Sequence, residues 1–299
     1  TALALADAGA RVTVFDPGGP NASSIAAGMI APVFEAVLDA TARPHFDLLM
    51  AARDLWPALA ERAGLALDRA GALAVGKDAW LEGLLAGFDG LDLRPTEIGG
   101  TTARGLAPGL SEAFARALFT REDWRVDAPV ALGALREAAA AAGVAFAAQP
   151  VRDRGDADVL VIATGADRRL ADIAPELSVL KPVKGHIVRV AAPSVGAVVR
   201  ARTVYAAPGG SLVFGGTMEH GRSDVAIDEA AAEPLLTAGL ELFPEHWEAP
   251  IQISAGVRGA TPDGLPMAGP AAAPGVLLAV GARRNGWLLA PLVAQTIAA

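Results

Sequence analysis

The residues best equipped for chemistry in this chain are arginines near its end. Gly256-Val257-Arg258 is followed by Thr261-Pro262-Asp263-Gly264-Leu265-Pro266, and then by Arg283-Arg284-Asn285-Gly286-Trp287-Leu288-Leu289-Ala290-Pro291. A guanidinium is planar and permanently charged, and it can fork onto a carboxylate with two charge-assisted hydrogen bonds. Between these segments the apolar run 276–280 is stopped by Gly281, and a helical pattern begins at Asn285 or Gly286. Two arginines therefore stand just ahead of a helix N-terminus, whose free N–H groups favour an anionic or electron-rich oxygen. Any one arginine alone reads as a surface residue. The arrangement carries more information than its members.

Other chemistries are poorly supplied. Cysteine is absent, so no disulfide, thiolate nucleophile or sulfur ligand is available. The four histidines, His45, His186, His220 and His246, lack the spacing that places two on one helical face, and no metal site is expected. A net charge of -8 argues against a protein whose affinity comes from neutralising phosphates, so nucleic acid is not an expected partner. No apolar run is long enough to cross a bilayer and no signal-peptide pattern opens the chain, so the expectation is a cytoplasmic protein without a membrane partner. With 299 residues, 53% of them hydrophobic, the chain is long enough for two lobes.

The elements that would position the arginines follow from pattern. Residues 1–9 read as a short helix ended by Gly9, and residues 12–15 as a buried strand with Asp16 at its carboxyl end. This is the second half of a dinucleotide-binding βαβ unit, in which the acid takes ribose hydroxyls; in a complete unit a strand and a Gly-x-Gly-x-x-Gly turn come immediately before. Acids after strands also cap helices and form turns. The stretch 18–32 is rich in small residues and turn formers. It reads either as a flexible surface loop or as backbone that approaches a flat ligand closely, with Ser23 and Ser24 able to hydrogen-bond phosphate.

A scaffold helix is predicted over 43–62 with Gly64 as its stop, then a strand at 72–75, a helix at 78–86 and looser Gly- and Pro-rich pieces to 120. Trp80 and Phe88 read as packing residues. Asp127 caps a helix to 142, followed by strands at 144–150 and 158–165, the second fully buried. Strands at 182–190, 198–202, 203–206 and 212–216 and a helix at 229–243 make an antiparallel sheet carrying a helix. Tyr205, the only tyrosine, lies on one of these strands.

The pattern Gly-Val-Arg, Thr-Pro-Asp-Gly-Leu-Pro and Arg-Asn-Gly-Trp-Leu-Leu-Ala-Pro resembles the carboxy-terminal signature of the FAD-dependent D-amino acid oxidase family. Within it the chain is most similar to the glycine oxidases of thiamine biosynthesis. The resemblance implies an α/β (α+β overall) fold: a Rossmann-like FAD-binding domain over 1–66, 125–182 and 255–299, and an antiparallel-sheet substrate domain over 67–124 and 183–254. It implies FAD contacts at Asp16, Ser23, Ser24, Ala27, Gly28, Met29, Val151, Thr164, Gly165, Asn285, Gly286, Trp287 and Leu288. Substrate contacts are implied at Arg258, Tyr205 and Arg284, with no acid–base residue.

The implied reaction takes glycine, a small amine or a small D-amino acid to its imine, then to an oxo acid and ammonia, with oxygen reduced to hydrogen peroxide. Two alternatives stay open: a D-amino acid dehydrogenase using another acceptor, and a non-catalytic chain acting as an assembly partner. A homo-oligomer is also left open. The chain departs from the family pattern at Ala282 and Arg283, where a His and an aromatic residue are usual, and at Gly259, where Pro is common.

Overall fold

The structure is a computed structural model and describes residues 1–19 and 21–299. Its longest strand, Lys181–Val190, organises a nine-stranded sheet. On one side it pairs along its whole length with antiparallel Ile251–Ala260; on the other it takes Leu212–Gly215 and Glu219–His220. From Leu212–Gly215 the sheet continues through Tyr205–Ala207, Val198–Arg200, Ala72–Val75, Arg116–Thr120 and Thr96–Gly99. The predicted antiparallel sheet is therefore mixed, because Val198–Arg200 runs parallel to Ala72–Val75. That one parallel pair joins the two chain segments assigned to the substrate domain. The strands Lys181–Val190 and Ile251–Ala260 each run across a domain boundary placed from sequence, at 183 and 255.

Both faces of this sheet are covered. The helix Glu229–Leu242 packs on one, close enough that a Cβ at Gly239 would lie 2.2 Å from the Phe214 ring. Helices Pro32–Leu38 and Asp78–Asp89 cover the other, where Phe34 meets Phe88 edge to face at 5.6 Å between centroids. The alternating apolar residues of each strand thus divide between two cores.

Three smaller sheets lie apart from it, one of them the antiparallel pair of Met29–Ile30 with Trp124–Arg125. Thr13–Phe15 pairs in parallel with Ala145–Ala147, and Val276–Val280 lies between parallel Leu160–Ile162 and antiparallel Met267–Pro270. The strands at 12–15 and 158–165 were expected to be buried. Instead Phe15 is 43% exposed, and Ile162 alone is buried in Leu160–Ile162. Among the described residues each pairs on one edge, whereas the strands of parallel sheets are buried where neighbours and helices cover them.

The predicted helix over 43–62 is two helices, Phe46–Asp54 and Trp56–Ala63. Pro57 has no N–H to donate and disfavours helical backbone at the residue before it, so the helix restarts there. Gly64 closes the second in the left-handed conformation, φ 62°. Asp127 caps Ala128–Ala141 by accepting from the Val130 N–H.

Helix Pro32–Leu38 is capped from a distance. Asp123, 1% exposed, accepts from the N–H groups of Val33 at 2.9 Å and Phe34 at 3.1 Å. Burial pushes its carboxyl up to about 6, against the opposing pull of Arg200 and the two donors. The folded state then holds this proton more tightly than the unfolded chain, whose ordinary value is 3.8. The Asp123 contribution to stability should fall as pH rises from about 4 to about 6 and stay level above. Urea denaturation of the native protein and of Asp123→Asn across that range checks this. The native protein should lose stability relative to the variant; parallel pH profiles would contradict it.

Among the described residues no helix is long and apolar enough to cross a membrane, and no cluster of His, Asp and Glu could hold a metal ion.

Candidate functional site

A cavity of about 280 Å³ lies between the large sheet and the segment running from Ala22 to Met29. Its sheet side is surfaced with glycine, and this is what places the reactive side chains. Tyr205 stands opposite Gly215 in the pairing of Tyr205–Ala207 with Leu212–Gly215. A Cβ at Gly215 would lie 2.0 Å from the Tyr205 hydroxyl, so the ring leans across bare backbone. Arg258 does the same on the neighbouring pair: a Cβ at Gly185 would sit 2.4 Å from its Nη1 and 2.7 Å from its Nη2.

Arg258 has no acidic partner within ion-pair distance among the described residues. Its Nη1 donates to the Thr217 carbonyl at 3.3 Å. Burial pushes its guanidinium below the ordinary value, with Tyr205 opposing; burial likewise pushes the Tyr205 hydroxyl up, with Arg258 opposing. The two groups favour each other's charge and both face the cavity. A half-buried cation without a counter-ion is an invitation to an anion.

Arg284 is differently placed. Its Nη2 pairs with Glu35 Oε1 at 3.2 Å and its Nη1 lies 3.9 Å from Asp39 Oδ2. Glu35, 5% exposed, also takes Arg200, 3% exposed, at 3.3 Å on the same oxygen. Glu35 and Arg200 line the cavity and were not singled out in the sequence. A charged residue inside each of the apolar runs Pro32–Leu38 and Val198–Arg200 was the available signal. Which carboxylate meets which arginine depends on segments 165 residues apart.

The opposite wall is Ala26, Ala27, Gly28 and Met29. Gly28 has φ 71°, and a Cβ there would lie 2.0 Å from the Val126 carbonyl oxygen, so only glycine fits. Gly256 lets the short helix Ala22–Ile25 settle on the sheet, since a Cβ there would be 2.6 Å from Ile25 Cδ1. Trp287 Nε1 donates to the Ser23 carbonyl at 3.2 Å, and Arg189 Nη2 to the Ile25 carbonyl at 2.9 Å. The segment expected either to wander as a surface loop or to approach a ligand is thus held against the cavity. The Ser24 hydroxyl bonds the Asn21 carbonyl at 2.9 Å.

The helix Gly286–Ala298 begins as predicted, with Asn285 at its cap and no side chain capping it. Leu289 N–H is the first to reach the Asn285 carbonyl, at 2.8 Å, leaving the N–H groups of Gly286, Trp287 and Leu288 ahead of the ladder. The departures from the family pattern find local reasons. A Cβ at Gly259 would lie 2.6 Å from the Gly165 carbonyl oxygen. Arg283, at φ 47°, donates its N–H to the Gly259 carbonyl at 2.9 Å and its guanidinium to Asp39. Burial alone would push the Asp39 carboxyl up, but hydrogen bonds from Arg283 and the Thr41 N–H, with the charges of Arg283 and Arg284, hold it below the usual range.

The structure therefore brings Ala27, Gly28, Met29, Tyr205, Arg258, Arg284 and Trp287 to one cavity. Asp16, Ser23, Ser24, Val151, Thr164, Gly165, Asn285, Gly286 and Leu288 are not among its lining residues. Asp16 closes a turn by accepting from the Gly18 N–H at 2.9 Å, and the Thr164 hydroxyl donates to the Asp167 carbonyl at 3.0 Å. Asp16 and Thr164-Gly165 follow Thr13–Phe15 and Leu160–Ile162, at the carboxyl ends of parallel strands where open α/β sheets take nucleotides. Taken together, a wall of small residues, an uncapped helix start and an unpaired guanidinium suit a flat, electron-accepting ring with a small carboxylate beside it.

Known proteins resemble this chain along its whole length. The family described as FAD dependent oxidoreductase matches residues 1–299. Glycine oxidase of Pseudomonas aeruginosa is 29% identical over 337 residues, covering 100% of this chain and 90% of that protein. Glycine oxidase of Geobacillus kaustophilus is 32% identical over 326 residues, covering 96% and 85%. The crystal structure of glycine oxidase from Geobacillus kaustophilus superposes with a TM-score of 0.80 at 27% identity, covering 99% of this chain and 89% of that one. A match along the whole chain, together with a site shaped for a flat cofactor and an anion, places this protein in the family of FAD dependent oxidoreductases, as an enzyme that uses FAD.

Proposed function

We propose that the enzyme oxidises a small amino acid, with glycine as the reference substrate, at its α-carbon. The product is an imine, which water converts to an oxo acid and ammonia, and oxygen is reduced to hydrogen peroxide. One observation carries this reading: Arg258, which has no acidic partner among the described residues, presents its guanidinium to the cavity beside Tyr205. The glycine oxidases among its relatives support it.

The residues present fit FAD, because the Ala26–Met29 wall admits a flat ring and the first turn of Gly286–Ala298 leaves N–H donors free. Ala27, Gly28, Met29, Asn285, Gly286, Trp287 and Leu288 would hold the ring end, and Asp16, Ser23, Ser24, Val151, Thr164 and Gly165 the nucleotide end. The bound flavin supplies the two-electron acceptor for the substrate's α-C–H bond. Arg258 forks onto the substrate carboxylate and fixes the α-carbon, while the Tyr205 hydroxyl donates to the same carboxylate. Arg284, already paired with Glu35, closes the rim and adds positive potential. No side chain is assigned a proton to move: Glu35 is engaged by two arginines, and the amine enters neutral.

The domain division read from the sequence is retained, with Ile251–Ala260 carrying Arg258 across from one domain to the other. Oxygen uptake and peroxide formation by the FAD-loaded enzyme test the reading, with glycine, sarcosine and D-alanine as substrates. Peroxide equal to amine consumed is the proposed outcome. Reduction of an artificial dye without oxygen uptake would indicate a dehydrogenase, and no turnover with any of the three would remove the amino acid reading.

A further inference from the structure

The Arg258 guanidinium meets one protein carbonyl, on a residue whose hydroxyl and N–H bond a buried histidine. Arg258 Nη1 donates to Thr217 O at 3.3 Å. Thr217 sits just past Leu212–Gly215, on a segment that reaches Asp228 before the helix Glu229–Leu242 begins. His186, on Lys181–Val190 and 0% exposed, grips this segment at several points. Its backbone N–H donates to Thr217 Oγ1 at 2.8 Å, and its Nδ1 lies 3.2 Å from Thr217 Oγ1 and 2.9 Å from Glu219 Oε1. Its Nε2 accepts from the Asp228 N–H at 3.0 Å.

These contacts fix the tautomer. Nε2 faces an N–H and carries no proton, so the proton of the neutral ring is on Nδ1, aimed at the Glu219 carboxylate. The Thr217 hydroxyl accepts from the His186 N–H and donates to the same carboxylate at 3.1 Å. Beside His186, Lys184, 0% exposed, ties Asp224 of the same segment at 2.7 Å. Successive strand residues point to opposite faces, so His186 lies on the face away from Gly185, over which the Arg258 guanidinium rests.

We propose that His186 is a positioning residue for the carboxylate site: with Glu219 it clamps Thr217, and the Thr217 carbonyl aims the Arg258 guanidinium into the cavity. The inference rests on the amino acid reading of that cavity. A guanidinium has four donors at its tips and a long flexible stem. One fixed acceptor behind it leaves the opposite edge free and directed, which is what forked recognition of a carboxylate requires.

The test uses FAD-loaded enzyme and acetate as the probe, read as a dissociation constant from the change in flavin absorbance, beside glycine kinetics. Thr217→Val removes the hydroxyl on a partly exposed residue and keeps the carbonyl. It should weaken acetate binding and raise the glycine KM about tenfold, a coupling of ordinary size for a shared network. The kcat should change less than about twofold, since the lost interaction is felt equally before and in the reaction. His186→Asn, which can still donate where Nδ1 does, should restore most of the affinity that His186→Leu loses. In an Arg258→Met background Thr217→Val should add nothing.

Equal acetate affinity in folded Thr217→Val, or the same loss with and without Arg258, would overturn the clamp. A native enzyme that neither binds acetate nor oxidises glycine would instead overturn the amino acid reading beneath it.

Discussion

Arg258→Met should lower kcat/KM for glycine about a hundred- to a thousand-fold, roughly 3 to 4 kcal/mol of lost carboxylate recognition. The size follows from the surroundings. The Arg258 guanidinium lies over bare backbone at Gly185, beside Tyr205, with a single carbonyl as its protein acceptor. A carboxylate arriving there meets a half-buried cation that has no acidic partner within ion-pair distance among the described residues. Methionine keeps much of the volume and none of the charge. The same change should leave the unliganded protein about as stable as before, within roughly 1 kcal/mol, because no ion pair is broken. Steady-state kinetics and thermal melting together check this. Unchanged kinetics, or a collapse in stability that accounts for the lost activity, would contradict it.

Glu35→Ala should have the opposite balance, costing about 3 to 5 kcal/mol of stability. Glu35 and Arg200 are 5% and 3% exposed, so removing the carboxylate leaves a desolvated guanidinium in the cavity wall without that partner. Arg284 also loses the partner that holds it at 3.2 Å. A second substitution distinguishes burial from packing. Replacing a buried pair wholly by apolar groups is far less costly than breaking it, so Arg200→Met in the Glu35→Ala background should recover part of the loss. Urea denaturation of the single and double variants measures both effects. A loss below about 1 kcal/mol in the single variant, the range of exposed pairs, would show that the pair is not desolvated.

Much of this site was legible in the sequence because it depends on local pattern. The run from Gly281 into Asn285-Gly286 marks a strand stop and a helix start, and the structure has Val276–Val280 and Gly286–Ala298 there. The small residues from Ala26 to Gly28 were read as a surface loop or as backbone approaching a ligand; at Gly28 the close approach is to the Val126 backbone of the protein itself. Tyr205 and Arg258 were paired as substrate contacts by the family resemblance, not by local pattern; both line one cavity.

What escaped depends on distant segments. Glu35 and Arg200 look like stray charges in apolar runs until the fold sets them against each other. Gly185 and Gly215 look like strand weaknesses, yet each clears room for a side chain that belongs to another strand. Thr96–Gly99 and Gly100–Leu106 fall in a stretch that reads as loose, because Gly and polar residues hide the period. Their order comes from tertiary contact: a Cβ at Gly100 would be 2.3 Å from the Phe114 carbonyl oxygen. The exposure of Phe15 and Val159 was also unreadable, since an apolar strand of either kind looks the same in sequence.

The most direct measurement is the visible spectrum of the FAD-loaded enzyme before and after glycine is added without oxygen, with Arg258→Met beside it. The account predicts that glycine bleaches the oxidised flavin bands of the native enzyme, and that the variant, still carrying flavin, bleaches only at far higher glycine. Flavin bands that glycine leaves unchanged in the native enzyme, or bleaching at the same glycine concentration in both proteins, would contradict it.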